Sequence, residues 1–328
     1  MAWRGKGFCR SKWLFHLVAA ASAALVLLCA VGCKQNLQAP PKFLQSLQPA
    51  GEFGLDSAEG IALSLRREIL VADTWHDRLV TISLDHRPGK TETEKAWGEF
   101  GIAPGQFSAP CDVAVDERGN IYVSDSWNHR IQRFSPEGKL LAHWGKKANI
   151  WDLKKDELYY PKGIAVDTDG NVYVADSADH RIIKYSPEGK VLFVVGEEGK
   201  TALRFHIPLD VATDLQDNLY ITDSGNHRIQ KLTSNGEYVN RWGEEGRKPG
   251  QFNRPSGVAV DREGRVYVVD SGNHRVQVFD SAGKLLTLFG KRGKGPGEFE
   301  SPESIAIGPD GKIYVLDWGN NRIQVFQP

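Results

Sequence analysis

Four histidines occupy one position of a recurring phrase, and imidazole is among the commonest ligands of protein-bound metals. The phrase runs Asp125-Ser126-Trp127-Asn128-His129-Arg130, and it returns with His180, His227 and His274, with weaker copies beginning at Asp73 and Asp317. A zinc ion needs three or four ligands around one point. Histidines fixed at one position of successive units are held a unit apart, so they are not expected to converge on an ion. Each Asp and Asn is read instead as satisfying turn backbone, and each Arg as reaching a nearby carboxylate or carbonyl.

Positions where the copies differ are better candidates for function. Just before the first strand of each unit, the residue following Pro or its equivalent is Glu59, Cys111, Lys162, Leu209, Ser256 and Glu303 in turn, and the next residue is Gly in three units and Asp112, Asp210 and Ser304 in the other three. Glu59, Asp112, Asp210 and Glu303, with Lys162 among them, offer oxygen ligands for calcium or for a cationic ligand, or simply a solvated rim. A second asymmetry is aromatic. Trp75, Trp127 and Trp318 stand in the turns after the second strands of units one, two and six, where the other units carry Ala178, Gly225 and Gly272. They suit an anchor for a ligand or a protein, or else local packing. An inserted loop from Lys146 to Tyr160, with Trp151, Tyr159 and Tyr160, is expected on the same face.

What positions these residues is a period. From Asp73 the aspartates are spaced 52, 51, 47, 47 and 47 residues apart, and the two long steps are explained by insertions between Ile82 and Gly98 and between Gly145 and Ile164. Each unit reads as four short β-branched and aromatic strands, with hairpin turns such as Ser135-Pro136-Glu137-Gly138-Lys139. Nearly continuous apolar strands imply sheets covered on both faces, as in a radial stack of blades. The last unit stops after its third strand at Phe326, and Lys42–Leu47 aligns with the missing fourth. The expected fold is therefore all-β: a closed six-bladed β-propeller over residues 42–328, the last blade completed by an N-terminal strand that removes the exposed edges.

The segments Pro-x-Gly-Val-Ala-Val-Asp, Val-Tyr-Val-x-Asp-Ser and Asn-His-Arg-Ile-Gln resemble NHL repeats, from Lys42 to the end. The resemblance implies the fold; the family's activities are diverse. They include ligand-sensing and RNA-binding domains, the peptidyl-hydroxyglycine amidating lyase and the streptogramin lyase. In such lyases a Pro-His segment supplies metal binding or acid–base chemistry, and none of the six positions following Pro here is His.

The first 33 residues read as a secretion signal. Arg4, Lys6, Arg10 and Lys12 precede an apolar run from Trp13 to Val31, which ends in Ala30-Val31-Gly32-Cys33. That pattern resembles a bacterial lipobox, with Cys33 lipidated and residues 34–41 as a tether to the membrane. An uncleaved anchor is the competing reading. Lys34, rather than Asp, after the Cys favours the outer membrane if the cell is Gram-negative. Cys111 is then the single thiol of the mature domain, so no internal disulfide forms. Removing the signal leaves 37 basic against 41 acidic residues, which lacks the basic footprint of a nucleic-acid binder. The reading that results is a non-enzymatic, exported, lipid-anchored propeller without a cofactor, binding an envelope protein or a small extracytoplasmic ligand. The alternative is a metal-assisted lyase or hydrolase at the channel mouth, and calcium or zinc belongs only to that alternative.

Overall fold

The second strand of every unit is a run of aliphatic, β-branched and aromatic residues ending in Asp, and burial on both faces follows from that composition. β7 (Ile121–Asp125), β11 (Val172–Asp176), β15 (Leu219–Asp223), β19 (Val266–Asp270) and β23 (Ile313–Asp317) are buried at every residue. The computed structural model describes residues 37–49, 54–84, 94–147 and 155–328. Cys33, the signal, residues 34–36 of the tether, Gly51–Phe53 and Trp151 lie outside the described residues.

The strands form four-stranded antiparallel sheets, one per blade. Blade one holds β2 (Gly60–Leu63), β3 (Glu68–Asp73), β4 (Arg78–Ser83) and β5 (Glu94–Trp97). Blade two places β6 (Pro110–Val115), β8 (Arg130–Phe134) and β9 (Leu140–Trp144) with β7. Blade three adds β10 (Pro161–Val166), β12 (Arg181–Tyr185) and β13 (Val191–Val195) to β11. Blade four has β14 (Pro208–Thr213), β16 (Arg228–Leu232) and β17 (Tyr238–Trp242) around β15. Blade five has β18 (Pro255–Val260), β20 (Arg275–Phe279) and β21 (Leu285–Phe289) around β19. In blade six β22 (Ser304–Ile307), β23 and β24 (Arg322–Gln327) are joined by β1 (Lys42–Leu47), in the order β1-β24-β23-β22.

Closure needs a correction. Hydrogen bonds run within each four-stranded sheet, and among the described residues no sheet closes on itself, so every blade keeps two edge strands. The strand β1 joins the C-terminal strand β24 in one blade without removing edges. The ring is held by faces: each hydrophobic cluster spans two adjacent blades, as where Tyr220 and Ile229 of blade four meet Phe252, Val258 and Phe279 of blade five. Another cluster joins blade six to blade one through Leu316, Ile323, Ile61 and Val71.

The Asp of the phrase is a buried hub. Asp125 Oδ1 accepts the Ser108 N–H at 2.7 Å, and its Oδ2 accepts from Arg130 Nε at 2.7 Å, Asn128 Nδ2 at 2.9 Å and Gln132 Nε2 at 3.1 Å. Arg130 then donates to the carbonyls of Ile102, Ala103 and Gln106. The hub therefore bolts down the loop that leads into its own blade. Second strands end, and first strands begin, on one face of the ring, where Pro110 pairs with Asp125 and Pro255 with Asp270. The register Lys42↔Gln327 puts the start of β1 at the opposite face.

Candidate functional site

Two layers of side chains stand where the first strands begin. In the upper layer Glu59, Cys111, Lys162, Leu209, Ser256 and Glu303 border a small cavity of about 30 Å³. Lys162, on blade three, reaches across to pair with Glu59 on blade one. Cys111, on the blade between them, is buried, and burial together with nearby Glu59 pushes its thiol up to about 12, so it stays protonated. Burial opposes the charge on Lys162, yet Cys111 and Glu59 beside it leave its ammonium raised; Glu59 is the effective partner, because a neutral thiol attracts no cation. Burial and then Glu59 push the Glu303 carboxyl up to about 7.

The lower layer alternates Gly60, Asp112, Gly163, Asp210, Gly257 and Ser304. The alternation is steric: a Cβ on Gly60 would lie 2.3 Å from Asp112 Oδ1, and one on Gly163 2.4 Å from the Asp210 Cα. Each polar side chain then reaches the blade beyond. Asp112 Oδ2 accepts the Ile164 N–H at 2.9 Å, Asp210 Oδ2 accepts that of Val258 at 2.8 Å, and Ser304 Oγ accepts that of Ile61 at 3.3 Å. The six blades thus behave as three pairs about the axis. Burial raises both carboxyls, Asp210 to about 7, and Asp112 also feels Asp210. The carboxylates singled out from the sequence are thereby divided. Glu59, Lys162 and Glu303 belong to the upper layer, while Asp112 and Asp210 form a floor spent on backbone N–H groups.

The repeated histidines work between blades. His129 Nδ1 accepts the Tyr160 N–H at 3.4 Å, His180 that of Ile207 at 3.0 Å, His227 that of Arg254 at 3.1 Å and His274 that of Ser301 at 3.0 Å. In blade one Asp77 Oδ1 does the same for Ala109 at 2.7 Å. Each residue so held is left-handed, with φ of 47° at Ala109, 56° at Tyr160, 51° at Ile207, 53° at Arg254 and 49° at Ser301. That conformation costs a non-glycine residue about 1 kcal/mol, roughly what one hydrogen bond returns.

Two more positions complete a corner at each of these junctions. One precedes the left-handed residue and is Ser108, Tyr159, His206, Asn253 and Glu300 in turn. The other lies on the bridge leading to it and is Phe100, Lys147, Glu198, Glu245 and Arg292. Only the junction of blades three and four fills its corner with His180, Glu198 and His206, whose ligand atoms all lie within 4.8 Å of one another. Glu198 Oε1 is 3.3 Å from His206 Nδ1, and the two imidazoles stack at 5.3 Å. Gly225 opens the space for His206, since a Cβ there would lie 2.2 Å from the ring's Cδ2. Two imidazoles and a carboxylate are a zinc-type donor set that leaves a position for water or substrate. One contact runs against a preformed site. A metal-bound His ordinarily donates from its other ring nitrogen, whereas His180 Nδ1 faces a donor.

The expectation of no cofactor is corrected by this cluster, which can coordinate a metal ion. The ring does keep the repeated histidines a blade apart, but His206 and Glu198, which are not repeated, gather around one of them. The signal was a His at a position that is Ser, Tyr, Asn or Glu in the other units. The three tryptophans lie on this face as expected: Trp75 N–H donates to Asp56 O, and Trp127 N–H to Ser108 O, both in lead-in loops. All three residues are exposed, at 67% for Trp75, 60% for Trp127 and 41% for Trp318. Tyr159 and Tyr160 pack on His129.

Residues 107–134, 158–185, 205–232, 252–279 and 299–326 match the NHL repeat. The chain is 36% identical over 96 residues to protein brain tumor of Drosophila melanogaster, covering 29% of this chain and 9% of that protein. It is 31% identical over 111 residues to peptidyl-alpha-hydroxyglycine alpha-amidating lyase 2 of the same organism, covering 33% of this chain and 25% of that one. The match thus spans a quarter or less of the length of these two relatives. Among solved structures, a catalytically inactive virginiamycin B lyase from Staphylococcus aureus with quinupristin superposes with a TM-score of 0.60 at 17% identity, over 87% of each chain. That likeness shows the fold. The metal-type cluster corrects the non-enzymatic expectation, since a His/Glu/His donor set gives the chain enzymatic potential. The five matched stretches, each opening on a buried Phe or Leu before a lead-in loop, place the chain in the NHL-repeat family, built as a six-bladed β-propeller.

Proposed function

We propose that the protein is a metal-assisted lyase or hydrolase whose site is the His180, Glu198 and His206 corner. One observation carries this reading: five junctions share a backbone arrangement, and only this one combines three metal-ligating side chains within 4.8 Å. A bound divalent ion would supply Lewis-acid polarisation and an activated water. The chain's own contribution is placement. The Asp223 hub fixes the His206 backbone, and Gly225 makes room for its ring. The exposed Trp75, Trp127 and Trp318 on the same face support a role in receiving a ligand or partner.

The reading is tested by adding zinc or a chelator to the purified chain with two substrate types suggested by the relatives' names, a peptide ending in hydroxyglycine and a virginiamycin B-type cyclic depsipeptide. Metal-dependent cleavage, lost in Glu198→Gln and His206→Ala while both variants stay folded, is expected. Absence of both stoichiometric metal and turnover would refute it. A second reading rests on Glu303, whose carboxyl near 7 suits proton transfer at neutral pH. Under it Glu303→Gln, and not Glu198→Gln, abolishes turnover.

Export and lipidation at Cys33 belong to the same proposal. Mass spectrometry of the membrane-extracted chain should find a lipid-modified Cys33 at its N-terminus, and an unmodified Cys33 behind an intact signal would argue against the lipid anchor.

A further inference from the structure

We propose that the corner of His180, Glu198 and His206 is a metal-operated latch: binding a zinc-like ion there releases the hydrogen bond by which His180 holds blade four's lead-in loop. This rests on the metal reading above and adds its regulation.

The argument is one of lone pairs. A neutral imidazole has one acceptor nitrogen and one N–H. In His180 the acceptor is Nδ1, engaged by the Ile207 N–H at 3.0 Å, so Nε2 carries the proton. Coordination through Nε2 moves the proton to Nδ1, where it faces the Ile207 N–H, and two donors repel. Coordination through Nδ1 displaces Ile207 directly. Either way the inter-blade bond and a neutral His180–metal bond exclude each other.

What the bond restrains is local. Ile207 is left-handed at φ 51°, as is Leu203 at 59°, so this segment has a more relaxed conformation to move to. The rest of the loop stays fastened, because the His206 N–H donates to Asp223 Oδ1 at 2.7 Å and Arg228 holds the carbonyls of Lys200, Thr201 and Arg204. Opening is therefore confined to the step from Ile207 into β14. Leu209, three residues from His206, borders the axial cavity, so release at Ile207 bears on that wall.

The test is amide hydrogen exchange on the full chain, with and without zinc. Zinc is expected to speed exchange at Ile207 by at least about tenfold, the factor for losing a bond worth roughly 1.4 kcal/mol. Arg254 and Ser301, held by His227 and His274 where the corners lack a second His, are expected not to respond. His180→Asn separates the two roles. Asn321 already occupies this position in blade six at φ 47°, so an amide can take the backbone conformation and still accept from Ile207. Ile207 in that variant is expected to stay protected and to ignore zinc. Stoichiometric zinc binding with Ile207 unchanged or slowed would overturn the latch and leave the metal site standing. No zinc binding at all would overturn both.

Discussion

Replacing Asp223 by Asn tests whether the polar hub both stabilises the ring and positions the candidate site. Asp223 is fully buried, and its Oδ2 receives Arg228 Nε at 2.6 Å, Gln230 Nε2 at 3.1 Å and Asn226 Nδ2 at 3.0 Å, while its Oδ1 receives the His206 N–H at 2.7 Å. An Asn keeps the shape but has only one oxygen. Turned one way, its NH₂ confronts Arg228 and Gln230; turned the other, it confronts the His206 N–H. The second costs less, so the site's own backbone comes loose. The Arg228 guanidinium, 8% exposed, also loses its counter-charge. Breaking a buried pair costs about 3–5 kcal/mol; the three carbonyls that Arg228 keeps favour the lower end. At about 2–4 °C per kcal/mol for large domains, Tm should fall by roughly 6–12 °C. Calorimetry measures that fall, and zinc titration measures the site. Asp125→Asn is the control, since its hub holds Ser108 in place of His206 at the same 2.7 Å. It should lower Tm equally and leave zinc affinity alone. A fall below about 2 °C, or equal zinc affinities in the two variants, would refute the reasoning.

Asn253→His should create a second metal corner with His227 and Glu245, because Gly272 there has no side chain in the way, its would-be Cβ lying 2.6 Å from Asn253 Cγ. Zinc bound per chain should rise from one to two by mass spectrometry, and an unchanged count would show that the corner geometry is not sufficient. Burial, with Lys147 adding to it, lowers the pKa of His129 in the folded chain, so its contribution is present above the unfolded value near 6.5 and lost as pH falls through the folded value. Between pH 7 and 5 the His129→Asn variant should lose less stability than the parent, by about 0.5–1.5 kcal/mol in denaturant titrations; parallel curves would rule the histidine out. Glu303 behaves oppositely: its folded pKa, about 7, exceeds the ordinary 4.5, so the folded chain binds more protons and gains stability as pH falls from 7 toward 4.5. Glu303→Gln should be the more stable protein at pH 8 and show a flatter pH profile, and a variant less stable than the parent at pH 8 would contradict this.

The fold was legible because the repeat is dictated by packing. The short strands expected in each unit are present, as Val266–Asp270, Arg275–Phe279 and Leu285–Phe289 show, and Lys42–Leu47 does complete the last blade. Strand pattern says which residues are buried without saying which sheets exchange hydrogen bonds. Closure by pairing was therefore over-read. The hubs were legible in residue type but not in direction: the Asp125 carboxylate accepts the Ser108 N–H, 17 residues upstream, and caps no backbone N–H of its own turn. The axial set was legible as a place and mistaken in part as chemistry. Asp112 and Asp210 look identical in sequence to Glu59 as oxygen donors, yet the glycines beside them draw their side chains onto Ile164 and Val258.

The metal corner is not legible in the residues that recur, because a recurring residue supplies only a third of it. Alignment of the lead-in loops makes the difference visible, and the structure explains why it matters. The hydrogen bond from each left-handed residue fixes the same backbone at five junctions, so composition alone decides what a corner does. At the junction of blades five and six, Arg292 Nε lies 3.1 Å from Glu300 Oε2, and His274 Nδ1 is 3.9 Å from the same carboxylate: the corner carries its own cation. Between blades two and three Tyr159 covers His129 and makes the corner aromatic. Between blades three and four the same frame holds two imidazoles and a carboxylate. Replacing Glu198 by Arg, to imitate the corner of blades five and six, would therefore substitute a guanidinium for the ion. If metal-dependent activity is lost while the Ile207 amide stays protected, the corner has been filled without opening the latch.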